Sequence, residues 1–427
     1  MTIIGKNLAT LAIGAALGGL ASGVFAGGFA IGTQSGSGTG NAFAGGAAAA
    51  DDASVAWYNP AAMTLLPAGR QVAGALHALR PSFKFQNQGS TGVYAAAGTG
   101  DGGDGGDWNF VPNAFFTTDI NPRWRFGLAL NVPFGLKTDY DNGWRGQLTA
   151  LKSEIKSVNI NPSVGFKLND QVSLGFGVSV QRIEADLTSF AGAAAGIATL
   201  GADDTGYGFN LGFAANASPS TRFGATYRSS IDYDLEGTAT FSGPAGPLLG
   251  SGIRADLKVP DSASLSVFHK LNPKWELMGD ITWTGWSSVK QLVIVRTSAT
   301  GAGAAAGSTL STLLFNWKDT WRFGVGANYR MNDRTKFRFG VALDETPTND
   351  VDRTPRLPDQ DRTWVAVGMQ YRLSKAGVLD LGYAHEFVKD ARVNNTVPGF
   401  ATCAAGCLTG SFDNEADIFS VQYSHSF

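Results

Sequence analysis

The last ten residues, I418-F-S-V-Q-Y-S-H-S-F427, decide the fold class of this chain. They alternate between a mostly polar set and an apolar or aromatic set, the latter being Phe419, Val421, Tyr423, His425 and Phe427. Successive side chains of a β-strand point to opposite faces. The pattern therefore predicts a strand with one face towards lipid and the other towards a polar lumen.

The same two-residue period recurs along the chain. Apolar sets with glycine or polar residues between them include Phe126 to Phe134, Leu174 to Val180, Phe323 to Tyr329 and Phe337 to Leu343. Strands of a soluble sandwich also alternate, but they would not direct Arg, Asp and Gly inward and the apolar residues outward. The repetition favours a transmembrane β-barrel.

Joints between the predicted strands give the strand count. The strands lie near 70–86, 108–119, 123–135, 152–168, 171–187, 204–217, 220–237, 252–270, 274–296, 314–331, 334–346, 361–374, 377–391 and 415–427. Joints after even strands are tight turns such as Asn121-Pro122 and Asn169-Asp170, whereas joints after odd strands are mostly longer. We therefore expect an all-β, antiparallel barrel of about fourteen strands over residues 70–427, with both ends in the periplasm.

The first residues predict export. Lys6 provides a positive charge, an apolar run follows from Leu8 to Leu20, and Val24-Phe25-Ala26 offers small residues for cleavage before Gly27. These features are typical of a signal peptide over residues 1–26. An exported chain with no later apolar stretch long enough for a membrane helix fits a barrel in the bacterial outer membrane.

Composition excludes several functional classes. With 33 Lys+Arg against 35 Asp+Glu, the chain has no electrostatic footprint for nucleic acid. Four histidines and two cysteines predict no metal site and no cofactor. Cys403 and Cys407 are expected to form a disulfide that stiffens a loop, the alternative being two unpaired thiols.

Residues 27–69 are too short for a pair of spanning strands and rich in small residues. Asn59-Pro60-Ala61 predicts a turn that opens a helical segment, because proline suits the first helical position. We expect an N-terminal helical hatch that plugs the barrel, since a pore of about fourteen strands is wide enough to need filling. A flexible periplasmic tail is the alternative.

Several short motifs, in order along nearly the whole chain after residue 26, resemble those of the FadL-type outer-membrane transporters of long-chain fatty acids and other hydrophobic compounds. They are Asp51-Asp52, Asn59-Pro60-Ala61, Asn131 to Leu136, Asn142 to Gly146, Pro260-Asp261-Ser262, Trp283 to Ser287, Trp317-Lys318-Asp319 and Thr354 to Arg362. The resemblance implies passage of hydrophobic molecules through a plugged barrel, without an enzymatic reaction.

Pro133, Phe134 and Gly135 interrupt the third predicted strand. Proline cannot donate to the ladder and glycine loosens the pleat, so pairing should fail locally. The resemblance implies that this kink forms a lateral opening from which ligand leaves into the membrane. The alternative is a strand that ends early at the barrel rim.

Two basic residues are candidate partners for a fatty-acid carboxylate, Arg182 and Lys318. Strict alternation sends Arg182 outward, and only a bulge would turn it in. Structural ion pairs with Glu184 and Asp319 are the competing interpretation for these two residues. Arg356 and Arg362, which flank Asp359 and Asp361, are expected to form the salt-bridged base of a loop rather than to contact ligand.

The leading hypothesis is passive uptake of hydrophobic molecules, most simply long-chain fatty acids, by a monomer that contacts outer-membrane lipid. A channel for aromatic hydrocarbons is the alternative, followed by a general porin for small polar solutes. No phosphate-binding loop indicates energy coupling. An outer-membrane hydrolase would need a nucleophile beside a positioned base, and no such pair is evident.

Overall fold

The computed structural model describes residues 27–396 and 402–427, so the predicted signal peptide of residues 1–26 lies outside the described residues. Twenty strand segments follow one another: β1 Arg70–Asn87, β2 Asn109–Asn121, β3 Trp124–Asn131, β4 Gly135–Asp139, β5 Lys152–Lys167, β6 Val172–Phe190, β7 Ile197–Asn216, β8 Thr221–Arg228, β9 Ile231–Phe241, β10 Ser251–Val259, β11 Ser262–Lys270, β12 Trp275–Thr284, β13 Gln291–Arg296, β14 Thr309–Leu314, β15 Thr320–Arg330, β16 Thr335–Asp344, β17 Arg362–Arg372, β18 Gly377–Val388, β19 Ala391–Thr396 and β20 Cys407–Ser426.

These segments form one closed antiparallel barrel, which confirms the predicted count of fourteen strands. The segment number exceeds fourteen because six barrel strands are interrupted, at β3/β4, β8/β9, β10/β11, β12/β13, β14/β15 and β18/β19. The barrel closes where β1 pairs with β20, from Gln71 opposite Ser426 to Asn87 opposite Gly410. Closure removes the exposed edges that an open sheet would present.

The predicted alternation sorts side chains between lipid and lumen. Phe176, Phe323, Val341 and Phe419 are each more than two-fifths exposed on the outer wall. Alternate positions facing the lumen carry buried polar side chains, among them Asn113, Asn161, Asn210 and Gln422. A membrane supplies the apolar surroundings that the outer face needs, so the sequence pattern follows directly from burial in lipid.

Local turn chemistry produces the tight joints after the even strands. Asn169 accepts backbone hydrogen bonds from Gln171 and Val172 through its side-chain oxygen, at 2.9 and 2.8 Å. Side chains make the same kind of capping contact at the other five predicted joints, at Asn121, Ser218, Asn272, Asn332 and Ser374. An Asn or Ser side chain that binds its own turn backbone fixes the hairpin register.

Helical segments are short throughout the described residues. They are α1 Gly36–Thr39, α2 Gly46–Ala49, α3 Val55–Tyr58, α4 Gly92–Ala97 and α5 Gly246–Leu249, with 3-10 turns at Pro60–Leu65, Arg145–Leu148, Trp286–Ser288 and Cys403–Ala405. None of the helices in this part of the chain has the length and apolar character to span a membrane. The first three helices and the Pro60–Leu65 turn lie within residues 27–69, which pack inside the barrel against its inner wall.

Candidate functional site

The third barrel strand is broken between β3 and β4. On one side the break is bridged, because β5 pairs with both segments, through Asn131 opposite Asn159 and Gly135 opposite Lys156. On the other side β2 pairs with β3 only from Ala114 onwards, and β4 has no partner in β2 among the described strands. The wall therefore loses its ladder beside Val132, Pro133 and Phe134, where the sequence predicted a failure of pairing.

The N-terminal segment Phe29–Ile31 takes up the backbone groups that this break releases. The Ile31 N–H donates to the Pro133 carbonyl oxygen at 2.8 Å, and the Gly135 N–H donates to the Phe29 carbonyl oxygen at 2.9 Å. Between these bonds Ala30 and Phe134 form an isolated antiparallel bridge. Buried backbone groups need partners, and here a segment that is not part of the wall supplies them.

Gln34 ties this arrangement to the wall. Its Nε2 donates to the carbonyl oxygens of Ile31 and Val132, both at 2.8 Å. Its Oε1 accepts from the Nδ2 atoms of Asn131 at 2.7 Å and Asn113 at 3.2 Å. One buried amide thus joins the N-terminal segment, the break and the part of β2 that pairs with β1 but has no partner on the side of the break.

Asn59-Pro60-Ala61 anchors residues 27–69 to the inner face of β6 and β7. The Asn59 Nδ2 donates to the carbonyl oxygens of Ala47 at 2.7 Å and Phe213 at 2.9 Å. The wall approaches so closely that a Cβ on Gly175 would lie 2.2 Å from the Ala61 nitrogen. A Cβ on Gly212 would lie at the same distance from the Asn59 Oδ1, so the contact depends on glycines in the wall.

An ion-pair chain provides a second anchor. Asp51 in the N-terminal segment lies 2.8 Å from the Arg338 guanidinium, which also pairs with Asp380 at 3.0 Å. Lys336 adds a contact to Asp51 at 3.4 Å. Burial alone would raise the pKa of Asp51, but the two basic groups outweigh burial and hold it well below its usual range. The carboxylate therefore stays ionised and bound to the wall.

A cavity of about 240 Å³ occupies the middle of the barrel. It is bounded by the N-terminal segment, by Pro133 and Phe134 at the break, and by wall residues that are mostly polar, including Asn159, Gln181, Ser264, Asp280, Thr282 and Arg322. We refer to it as the central cavity. Its contact with the broken strand places a space lined by both polar and apolar side chains directly behind the gap in the ladder.

A second and mainly apolar cavity, of about 70 Å³, lies beside Phe29, close to the first described residues. Its lining includes Phe29, Leu136, Ile155, Leu187, Leu235, Leu257, Leu292, Leu313, Phe315 and Trp317. We refer to it as the apolar cavity. Phe29 and Trp317 both pack on Trp286, with ring centroids 5.0 Å apart in each pair, and Trp286 in turn lines the central cavity. An aromatic partition therefore stands between the two cavities.

Arg356 is the unusual polar group of the apolar cavity. Its Nη1 donates to the Ser153 Oγ at 3.0 Å and to the Lys152 carbonyl oxygen at 3.4 Å, while its buried Nε has no hydrogen-bond partner. No carboxylate of the described residues lies within ion-pair distance of it, and burial lowers the pKa of Arg356 to about 10. The neighbouring Arg353, by contrast, pairs with Asp350 at 2.6 Å.

The two basic residues proposed from the sequence lie in different places, and both are outside the cavities. Arg182 lies in an unbroken stretch of pairing, so it points outward, where it contacts Glu184 and Asp203 at 2.9 Å each. Lys318 is exposed, and its backbone N–H donates to the Pro347 carbonyl oxygen at 3.1 Å. Neither residue lines the central or the apolar cavity.

The loop from Pro347 to Asp361 contains Arg356, a basic residue that the sequence did not predict to contact ligand. Arg362 pairs with Asp359 and with Glu386, as the loop-base interpretation expected. Arg356 instead turns under the loop into the apolar cavity. The only sequence signal was its place in the Thr354-to-Arg362 motif, which does not reveal which of two arginines lacks an acidic partner.

Two further features lie outside the cavities. A disulfide joins Cys403 and Cys407, beside the start of α4, where the Cys407 N–H donates to the Thr91 Oγ1 at 3.1 Å. Across the described ranges, no group of three or more His, Cys, Asp or Glu side chains is arranged to hold a metal ion.

Comparison with known proteins links this architecture to one family. Residues 18–427 match the family model described as outer membrane protein transport protein (OMPP1/FadL/TodX). The long-chain fatty acid transport protein of Salmonella typhi is 26% identical over 415 residues, which cover 90% of this chain and 92% of that protein. Outer membrane protein P1 of Haemophilus influenzae is 27% identical over 395 residues, covering 82% and 83%.

Solved structures agree with the sequence comparison. A Pseudomonas aeruginosa FadL homologue superposes with a TM-score of 0.85 at 27% identity, covering 94% of this chain and all of that one. The Pseudomonas putida toluene transporter TodX superposes with a TM-score of 0.71 at 18% identity, covering 93% and 99%. The second likeness, at its low identity, concerns the fold alone.

Proposed function

The chain belongs to the outer membrane protein transport protein family that includes FadL and TodX, and we propose that it takes up long-chain fatty acids across the bacterial outer membrane. The observation that carries this choice of substrate is Arg356, a buried guanidinium without a carboxylate partner in the lining of the apolar cavity. The cavity offers apolar walls to an alkyl chain and one cation to its head group.

Electrostatics favours an acidic ligand over a neutral one. A buried charge without a partner is costly, and an ionised carboxylate would supply both the opposite charge and the missing hydrogen-bond acceptor. With a pKa of about 10, the Arg356 side chain is protonated at neutral pH. Asp352, also in the lining, is held by Asn316 at 3.2 Å and Asn349 at 3.0 Å, and no ion pair joins it to Arg356.

The proposed route starts in the apolar cavity and ends in the membrane. The ligand moves past the partition formed by Phe29, Trp286 and Trp317 into the central cavity, and from there through the gap at Pro133, Phe134 and Gly135. Residues 27–69 act as the hatch, because their first residues close the gap from inside. Transport is passive and runs through a single chain, with the partition of the alkyl tail into lipid as the driving force.

Aromatic hydrocarbons are the second candidate, because the toluene transporter TodX shares the fold. A neutral ring would gain from the apolar lining but would leave the Arg356 guanidinium uncompensated. The two substrates therefore make opposite predictions for the same residue: a carboxylate ligand depends on Arg356, whereas a hydrocarbon binds as well or better when the charge is removed.

The test is equilibrium binding of radiolabelled oleate, oleyl alcohol and toluene to the purified protein and to Arg356→Gln. Charged hydrogen bonds contribute about 1.5–3 kcal/mol, so we expect the variant to bind oleate at least about tenfold more weakly. Oleyl alcohol has the same chain without the charge, and its affinity should not change. Arg356→Lys keeps the charge but not the planar geometry and should lie between the two.

A matched control is Arg254→Gln, since Arg254 is an exposed arginine on β10, the strand that contributes Leu257 to the apolar cavity. It should bind oleate like the unmodified protein. Tight toluene binding that Arg356→Gln leaves unchanged or strengthens, together with no oleate binding, would assign the protein to hydrocarbons instead.

A further inference from the structure

Arg228 is another arginine that has no acidic partner among the described residues. It is half-buried at the end of β8, where it lines the central cavity together with Pro133 and Phe134. Its guanidinium carbon stands 3.6 Å from the centroid of the Trp57 ring. Its Nη2 donates to the Trp57 carbonyl oxygen at 2.9 Å and its Nη1 to the Ser179 Oγ at 3.2 Å.

The other arginine of the central cavity has a different environment. Arg322 lies 3.5 Å from the Asp280 carboxylate, so its charge is compensated within the wall. No carboxylate of the described residues comes within 4.0 Å of Arg228, whose contacts are an aromatic ring, a carbonyl oxygen and a hydroxyl. Neutral partners of this kind leave the positive charge of Arg228 without a compensating negative charge.

The polar residues around Arg228 lie on the same side of the barrel as the break. Asn159 stands on β5, opposite Asn131 at the end of β3, and donates to Gln181 on β6 at 3.0 Å. The Oδ1 of Asn159 is buried and has no hydrogen-bond partner. Polar side chains therefore lead from Arg228 towards the edge of the gap, and Arg228 is the cation among them.

We propose that Arg228 is a second carboxylate-binding site, which receives the head group after it leaves Arg356 and holds it while the alkyl tail enters the membrane. The inference rests on the proposed function and extends it. Lipid lies outside the gap, whereas the cavity inside it carries Arg228 and other polar wall side chains, so an amphiphile lowers its free energy by leaving tail first. A cation on the inner side of the gap stabilises the head group during that step.

A purely structural role is the competing explanation, because Arg228 also attaches the hatch residue Trp57 to the wall. The chain provides a matched control for it on the same strand. Arg222 donates to the Ala49 carbonyl oxygen of the hatch at 2.6 Å and lies 4.3 Å from the Phe268 ring centroid. It does not line the central cavity but a separate space near Leu65 and Pro219.

The experiment measures initial uptake of oleate and of oleyl alcohol by cells that lack their own long-chain fatty acid transporter. The cells produce the unmodified protein, Arg228→Gln, Arg228→Lys or Arg222→Gln, with surface levels matched. We expect Arg228→Gln to lower the ratio of oleate to oleyl alcohol uptake about tenfold, the effect of one charged hydrogen bond. Arg228→Lys should retain most of the ratio, and Arg222→Gln all of it.

Equal losses for oleate and oleyl alcohol in Arg228→Gln would overturn the proposal and leave Arg228 as a hatch anchor. Uptake of both compounds at the level of the unmodified protein would also overturn it. Equilibrium oleate binding separates these failures from a failure of the proposed function. If the unmodified protein neither binds oleate nor admits it faster than control cells, both proposals fall. If it does both and only the ratio is insensitive to Arg228, the second site alone is wrong.

Discussion

Within residues 27–396 and 402–427, two prolines interrupt barrel strands, with opposite consequences. At Pro133, between β3 and β4, the released carbonyl oxygen accepts a hydrogen bond from Ile31 in the hatch. At Pro260, between β10 and β11, the adjacent Asp261 carbonyl oxygen accepts its hydrogen bond from Gly285, at 3.0 Å, in the next barrel strand. One break is closed by the N-terminal segment and the other by the wall itself.

The difference arises from the neighbouring strands. Next to Pro260, β8/β9 and β12/β13 are interrupted as well, so three adjacent strands bend together and β11 pairs with β12 up to Ser262. Next to Pro133, β2 continues straight through residues where β4 offers it no partner. At Pro133 the ladder is lost because one neighbouring strand does not follow the bend, a condition that no single strand encodes.

Cross-linking should produce the largest difference between the two breaks. Ala30 and Phe134 are bridge partners flanked by two hydrogen bonds, a pair whose Cα atoms lie close enough for a disulfide. In Ala30→Cys/Phe134→Cys, oxidation should reduce oleate uptake to the background of cells without the protein. A reductant should restore it.

The control for this cross-link is Ser262→Cys/Thr284→Cys, which joins Cα partners in the ladder beside Pro260. It fastens wall to wall, so uptake should not depend on its redox state. The unmodified protein with and without reductant accounts for the native disulfide. Full oleate uptake through oxidised Ala30→Cys/Phe134→Cys would show that ligand does not leave at Pro133.

Replacing the prolines should have an intermediate effect. Pro133→Ala with Gly135→Val restores a backbone donor and a branched side chain, which favours a continuous strand and a narrower gap. We expect initial oleate uptake to fall severalfold at matched surface levels. Pro260→Ala should leave uptake close to that of the unmodified protein, and equal losses in both variants would mean that the breaks do not differ in function.

The smallest effect should follow from removing one side-chain contact at each break. Gln34→Leu removes the amide that binds Ile31, Val132, Asn131 and Asn113, leaving buried polar groups unsatisfied at a cost of about 1–3 kcal/mol. Hydrogen exchange at the Ile31 amide should accelerate. Tyr227→Phe removes a 3.0 Å contact to Asp261 near the second break, and the Gly285 amide there should remain protected.

If Gln34→Leu leaves exchange at Ile31 as slow as exchange at Gly285, the hatch segment is as firmly bound as the wall. In that case the comparison between a separable and a permanent closure would be wrong.

Most of the barrel could be predicted from the sequence because its determinants are local. The two-residue period at Phe419 to Phe427 follows from one face in lipid, and side chains such as Asn169 bind their own turns. The single strand predicted near 123–135 consists of two segments, since β3 ends at Asn131 and β4 runs from Gly135 to Asp139. The number of interrupted strands was underestimated, because a break depends on how the neighbouring strands bend.

The candidate site was predicted only in part. The position of the broken ladder at Pro133 followed from the chemistry of proline, whereas Arg182 and Lys318 were selected for charge and position in the motifs. Arg356 and Arg228 have no distinguishing local sequence. Each lines a cavity, and in the described part of the chain no carboxylate lies within ion-pair distance of it. That environment depends on residues such as Ser153 and Trp57, which are distant in the chain.

The sequence by itself determined the fold class, the strand order and the place where the ladder had to fail, because side-chain alternation, turn formation and proline act within a few residues. Only the tertiary structure decided which proline leaves a gap in the ladder, which segment closes it and which arginines line a cavity without an acidic partner. Pairing across strands and the balance of buried charge are properties of groups brought together from distant parts of the chain, and no local pattern contains them.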